Sequence, residues 1–244
     1  MASPSSSDTY EGTDRWLPRL LETGEWSDCK IITATKTFNV HRCIVGSKST
    51  VFKAAFDGGF REAETGEMRV EESERVIQEL LELMYCVDPS VGPPIVLDGT
   101  DASFASEAEH RIDIIVAADK YNVALRVDQF NPCSTISNIK EPEIYMPLWS
   151  RVYSNDASNF RRLRASVVDW ISGKTSEIMQ SEVAWRTLHE DRELWQAVTQ
   201  LLEERNRPVQ GAEEPLESNS PQDGPEDFVE TPRGWSESAN ASAG

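Results

Sequence analysis

The stretch SDCKIITATKTFNVHRCIVGSKSTVFKAAF, residues 27–56, changes its hydrophobic period partway along, and the fold is read from that change. In its first half, β-branched residues follow Cys29, and Phe38 and Val40 alternate with polar neighbours. Strand side chains alternate between two faces, so this half predicts two short strands joined by a turn around Thr35-Lys36. In its second half, Val51, Phe52, Ala55 and Phe56 line one face at helical spacing, and Ser47 or Ser49 can supply the capping oxygen. Gly58-Gly59 ends that helix, because consecutive glycines favour turns.

Working outward, Trp16-Leu17-Pro18-Arg19-Leu20-Leu21 predicts a short helix broken by Gly24, and residues before it form a polar lead-in. Glu67-Met68-Arg69-Val70-Glu71 alternates like a brief strand. Ser73 then caps a helix whose stripe is Val76, Ile77, Leu80, Leu81 and Met84, the clearest amphipathic pattern in the chain. Residues 88–110 hold three prolines and two glycines and predict an insertion loop, with Ile95-Val96-Leu97 as a candidate short element. Helical spacing resumes at Ile112, Ile115, Val116 and Tyr121, and Asn131-Pro132-Cys133 marks a break. Three further helices are expected near Pro142–Ser154, on Leu163, Val167, Trp170 and Ile171, and on Leu194, Trp195, Val198, Leu201 and Leu202. A shorter segment at Glu182–Leu188 connects the last two.

The chain has 244 residues, 42 acidic and 24 basic, for a net charge of −18. That balance opposes a nucleic-acid ligand, which needs a basic face, and docking on an anionic membrane. Residues 208–244 carry eight acidic residues against Arg233 alone and few apolar ones, so an acidic disordered tail is expected over 207–244. Neither a secretory leader nor a membrane-spanning run is visible. Cys29, Cys43, Cys86 and Cys133 are dispersed, which suits a reducing cytoplasmic or nuclear setting better than secretion. No metal-ligand spacing, phosphate loop or cofactor motif occurs. His41 and Cys43 stand close enough to suggest a nucleophile and base, but their apolar surroundings at Val40, Ile44 and Val45 predict two core residues and no enzyme.

The run Ser27–Ile32, Phe38–Val45 and Ser47–Phe56 resembles the opening of a BTB/POZ domain. The resemblance continues through Phe60-Arg61-Glu62-Ala63, Leu80–Tyr85 and Ala117-Ala118-Asp119-Lys120-Tyr121-Asn122-Val123, and its style is similar to the many BTB proteins of filamentous fungi. It implies an α+β fold over residues 20–130: a small three-stranded sheet capped by a cluster of short helices. Residues 1–19 then form the lead-in and the start of the first helix, and 131–206 an all-helical extension.

The family's implied role is protein–protein interaction, without catalysis or cofactor. Two uses recur in it. One is homodimerisation, with Asp28 and Arg42 at the positions of a charged pocket on the dimer surface. The other is recruitment of cullin-3, making the protein a substrate adaptor of a ubiquitin ligase. Phe60 and Glu62 match the hydrophobic-x-acidic triplet of such adaptors, and Tyr85 stands where the family places a contact aromatic. The alternative is a homodimeric scaffold or transcription-associated co-regulator with no ubiquitin role. His41 is expected as a satisfied core residue.

Overall fold

A computed structural model describes residues 16–86, 97–125 and 130–206. The expected tail at 207–244, the lead-in up to residue 15, and residues 88–96 of the proposed loop, with Ile95 and Val96 of the candidate short element, lie outside the described residues.

The two strands form where the alternation placed them. β1 (Cys29–Ile32) pairs antiparallel with β2 (Thr37–Val40), Ile31 opposite Phe38. Thr33 ties the turn: its hydroxyl donates to the Lys36 carbonyl at 3.0 Å and accepts from the Lys36 amide at 3.0 Å. Cys29, Ile31, Phe38 and Val40 point into the core, while Lys30 faces out and pairs with Glu67 at 3.1 Å. β3 (Glu67–Arg69) lies parallel to β1 on its other side, giving the order β2-β1-β3. A parallel neighbour needs a crossover. Here the crossover is three short helices: α2 (Arg42–Lys48), α3 (Thr50–Asp57) and α4 (Arg61–Thr65). α1 (Trp16–Thr23) precedes the sheet and α5 (Glu74–Met84) follows it. Ser49 is the cap of α3, accepting from the Phe52 amide at 3.0 Å and donating to the Tyr121 carbonyl. Ser47 instead sits inside α2, a helix with Val45 as its one buried residue and so no apolar stripe to announce it.

The loop expected over 88–110 is shorter at its C-terminal side. Thr100 caps α6 (Asp101–Lys120), so residues 101–110 are helix. The polar look of that half has a physical reason. Its inward positions include Glu107 and His110, whose burial is compensated by hydrogen-bonded polar partners. Glu107 is 4% exposed and bonds Arg75 and Arg111, each at 2.9 Å, and His110 meets Glu79 at 2.6 Å.

The remaining helices are α7 (Cys133–Ile136), α8 (Pro142–Ser154), α9 (Ser158–Arg161), α10 (Arg164–Ile178), α11 (Glu182–Glu190) and α12 (Arg192–Asn206). They share one contiguous core with the sheet and first helices, running from Leu20 to Val198. α6 is the junction, packed on α5 and also on α7, α8 and α9. Its aspartates fasten the extension. Asp101 accepts from the Lys140 and Glu141 amides at 2.9 and 2.8 Å, Asp113 pairs with Arg151, and Asp119 accepts from the Ser158 amide at 3.3 Å.

Two outcomes follow from this junction. A chain ending at Phe130 leaves the α6 surface beneath α7, α8 and α9 open to water, and should bind a hydrophobic dye and self-associate in light scattering. A monodisperse, dye-silent piece would show that the extension is dispensable. Burial alone would raise the Glu107 carboxyl, but the hydrogen bonds and charges of Arg111 and Arg75 outweigh it and hold the group below its ordinary 4.5. A depressed carboxyl contributes stability above that value and loses it as pH falls through the folded one. The urea midpoint should therefore drop as pH falls below 4.5, and Glu107→Gln should flatten that drop; an unchanged slope would remove Glu107 from the account.

Candidate interaction surface

The residues singled out at 28, 42, 60 and 62 converge around the crossover helices, but their bonds differ from the expected ones. Asp28 is exposed at the entry to β1, and its carboxylate accepts the backbone N–H of Arg42 at 2.8 Å. It thereby satisfies an orphan amide at the start of α2, where His41 offers no side-chain cap. The Arg42 guanidinium does not pair with it. Nη1 donates to the Phe56 carbonyl at 2.8 Å and Nη2 to the Ala63 carbonyl at 3.2 Å. The guanidinium also lies 5.8 Å from the Phe56 ring centre. A bidentate carboxylate–guanidinium contact is thus replaced by two separate anchoring roles.

Phe60 stands in the turn between α3 and α4, 61% exposed. Its conformation is set by its neighbours. A Cβ placed on Gly58 would come 2.3 Å from the Ala54 carbonyl and 3.1 Å from the Phe60 ring, so glycine alone fits under that ring. The Phe60 carbonyl accepts the Ala63 amide at 3.0 Å, opening α4. Gly66, at φ +68°, closes that helix in the left-handed region that favours glycine. Glu62 is half-buried on α4. Along the chain, Asp57, Glu62 and Glu64 against Arg61 make the segment around the aromatic acidic.

Tyr85 is not part of this surface. It is fully buried, and its hydroxyl accepts the His41 amide at 2.9 Å and lies 2.8 Å from His41 Nδ1. His41 Nε2 lies 2.7 Å from the Glu25 carbonyl, which can only accept, so Nε2 carries the proton. Nδ1 of the neutral ring then accepts from the Tyr85 hydroxyl. Burial pushes the Tyr85 phenol well up, keeping it a donor. The expected surface aromatic is therefore a core brace, placed inward because it ends the buried stripe of α5. Both ring nitrogens of His41 are occupied, as a satisfied core histidine requires. Cys43 departs from expectation by being exposed: it lies two residues, about 200° of helix, from the buried Val45. The buried thiol is Cys29, pushed up to about 12, chiefly by burial.

One residue of this region had no signal in the pattern. Trp26 is 83% exposed with φ 59°, beside Asp28, in a turn closed by the Ser27 amide on the Gly24 carbonyl at 3.2 Å. A single aromatic outside any periodic segment carries no face assignment in sequence.

Residues 17–125 match the family model described as the BTB/POZ domain. The chain is similar to "BTB and MATH domain-containing protein 42" of Caenorhabditis elegans, 28% identical over 163 residues, covering 62% of this chain and 36% of that protein. It is also similar to "TD and POZ domain-containing protein 1-like" of Mus musculus, 23% identical over 179 residues, covering 71% of this chain and 43% of that protein. The chain thus spans less than half the length of either curated relative. Both alignments are longer than the domain match, so the likeness continues outside residues 17–125.

Inside the matched region, the Tyr85 brace makes a direct forecast. Tyr85→Phe leaves the His41 amide and Nδ1 buried without a partner and should cost about 1–3 kcal/mol in urea unfolding. A loss under about 0.5 kcal/mol would show that the hydroxyl holds nothing.

Proposed function

We propose that the BTB/POZ domain formed by residues 17–125 makes this chain a non-catalytic protein–protein interaction module, a substrate adaptor that docks cullin-3 on the Phe60 turn. The carrying observation is Phe60 itself: a large aromatic, 61% exposed, seated on a glycine turn that admits no other residue beneath it. An exposed aromatic whose position is already set loses little freedom on binding and fits an apolar pocket on a partner. Glu62 and the acidic neighbours favour a partner whose pocket has a basic rim. The protein's net charge of −18 points the same way, toward protein and away from nucleic acid.

The polar groups of this region are engaged in structure, which suits binding rather than catalysis. Asp28 caps, Arg42 anchors carbonyls, and His41 and Tyr85 satisfy each other. Cys29, Cys43, Cys86 and Cys133 are unpaired thiols, in keeping with a reducing cytoplasmic or nuclear compartment. No helix of the described residues is long and apolar enough to cross a membrane.

A second reading is supported by Trp26. Its exposed indole beside Asp28 is the kind of apolar anchor a second copy of the chain could cover, which favours a homodimeric scaffold. The two readings concern different residues and separate experimentally. Titration calorimetry with the cullin-3 amino-terminal domain should give micromolar or tighter binding, weakened about 30-fold by Phe60→Ala and about tenfold by Glu62→Lys, with circular dichroism unchanged. No heat at micromolar concentrations would sink the adaptor role. Light scattering should show a dimer weakened by Trp26→Ala; a monomer at every concentration would sink the scaffold.

A further inference from the structure

We propose that Arg42 is the positioning residue of the Phe60 turn: its guanidinium clasps the two ends of the turn and so presents the aromatic to the partner. The proposal rests on the docking reading above and assigns Arg42 a role in that site rather than in a dimer pocket.

The argument begins with unsatisfied backbone. The last carbonyls of a helix have no partner within it. Phe56 O belongs to the last turn of α3 and Ala63 O to α4, and Arg42 bonds them at 2.8 and 3.2 Å. A cation at such carbonyls also meets the negative end of the helix. Between these two anchor points run Asp57-Gly58-Gly59-Phe60-Arg61-Glu62. Two adjacent glycines make that segment conformationally free, so its closure depends on what ties its ends.

Arg42 is itself fixed at its base by the Asp28 carboxylate on its amide, 2.8 Å away. Its fork lies against Gly66, where a Cβ would stand 3.5 Å from Nη2. Gly66 in turn accepts the Lys30 amide of β1 at 2.7 Å. One residue thus links the entry to β1, through its backbone N–H, with the end of α3, α4 and the glycine before β3, through its side chain. Lysine cannot reproduce this, because an ammonium is a point charge whereas the guanidinium holds two acceptors in a fixed fork.

The test uses the full chain, amide exchange and the cullin-3 amino-terminal domain. In Arg42→Gln, the Gly58, Ala63 and Gly66 amides should exchange at least about tenfold faster, the response to losing a charge-assisted hydrogen bond, while α5 amides keep their rates. Arg42→Gln should also weaken cullin-3 binding about tenfold, and the Phe60→Ala, Arg42→Gln double variant should bind within about threefold of Phe60→Ala alone, since Arg42 acts through Phe60. Arg42→Lys should fall between Arg42→Gln and wild type on both measures. Unchanged exchange at 58, 63 and 66 overturns the positioning role whatever cullin-3 does, and additive losses in the double variant overturn it in favour of direct contact. If Phe60→Ala binds like wild type, the docking reading falls, and exchange still decides the clasp. Should Arg42→Gln open the α5 amides as well, Arg42→Lys carries the test: faster exchange confined to 58, 63 and 66 supports the clasp, and wild-type exchange there overturns it.

Discussion

A helix enclosed on most of its circumference needs covering from more than one direction, and α6 imposes that requirement on this protein. Of its twenty residues, only Ala102, Ser106, Glu109, Asp119 and Lys120 are exposed. α5 covers one part, and α7, α8 and α9 cover others. Alanines at 108, 117 and 118 let the neighbouring backbones approach, and isoleucines at 112, 114 and 115 fill the space between. The domain and the helices after it are therefore halves of one core rather than a module with an appendage.

The polar chemistry of the domain serves the same end. Asp28, Arg42, His41, Tyr85 and Ser49 each complete a backbone group left open where one short element gives way to the next. Short helices make this unavoidable: α2, α3 and α4 have five to eight residues each, so most of their amides and carbonyls lie within an unsatisfied terminal turn. Side chains that would otherwise be available for chemistry are committed to closing those ends. The large apolar side chains left exposed in this part of the fold are Trp16, Trp26 and Phe60.

The legible and illegible parts of this fold divide along the same physical line. Segments whose burial is apolar could be read directly. The alternation at Phe38 and Val40 corresponds to β2, and the Val76–Met84 stripe to α5, every member of it buried. Segments whose burial is polar could not. The first half of α6 read as loop because Glu107 and His110 occupy core positions through partners on α5 and on α6 itself, 31 or 32 positions away in two of the three bonds and four away in the third. α2 has no signal in the pattern because two turns with one buried residue show no period. The parallel register of β3 on β1 is likewise a tertiary fact with no local signature.

The same distinction applies to the site residues. The motif positions Asp28, Arg42, Phe60 and Glu62 lie around one set of crossover helices, since neighbourhood follows from fold. They could not say which atoms bond, because the acceptors of Arg42 are main-chain carbonyls, present at every residue and therefore without any mark in sequence. Tyr85 shows the consequence most directly. Its place at the end of α5 was legible, yet whether the ring turned outward to a partner or inward to His41 depended on a hydrogen bond across 44 residues. A motif residue in a fold built of short elements has two competing employers, the partner and the open backbone ends. The backbone ends have the first claim, because a buried amide without an acceptor costs stability in every molecule, bound or free. The residues left over after those ends are satisfied are the ones that can define a surface, and here Phe60 is such a residue.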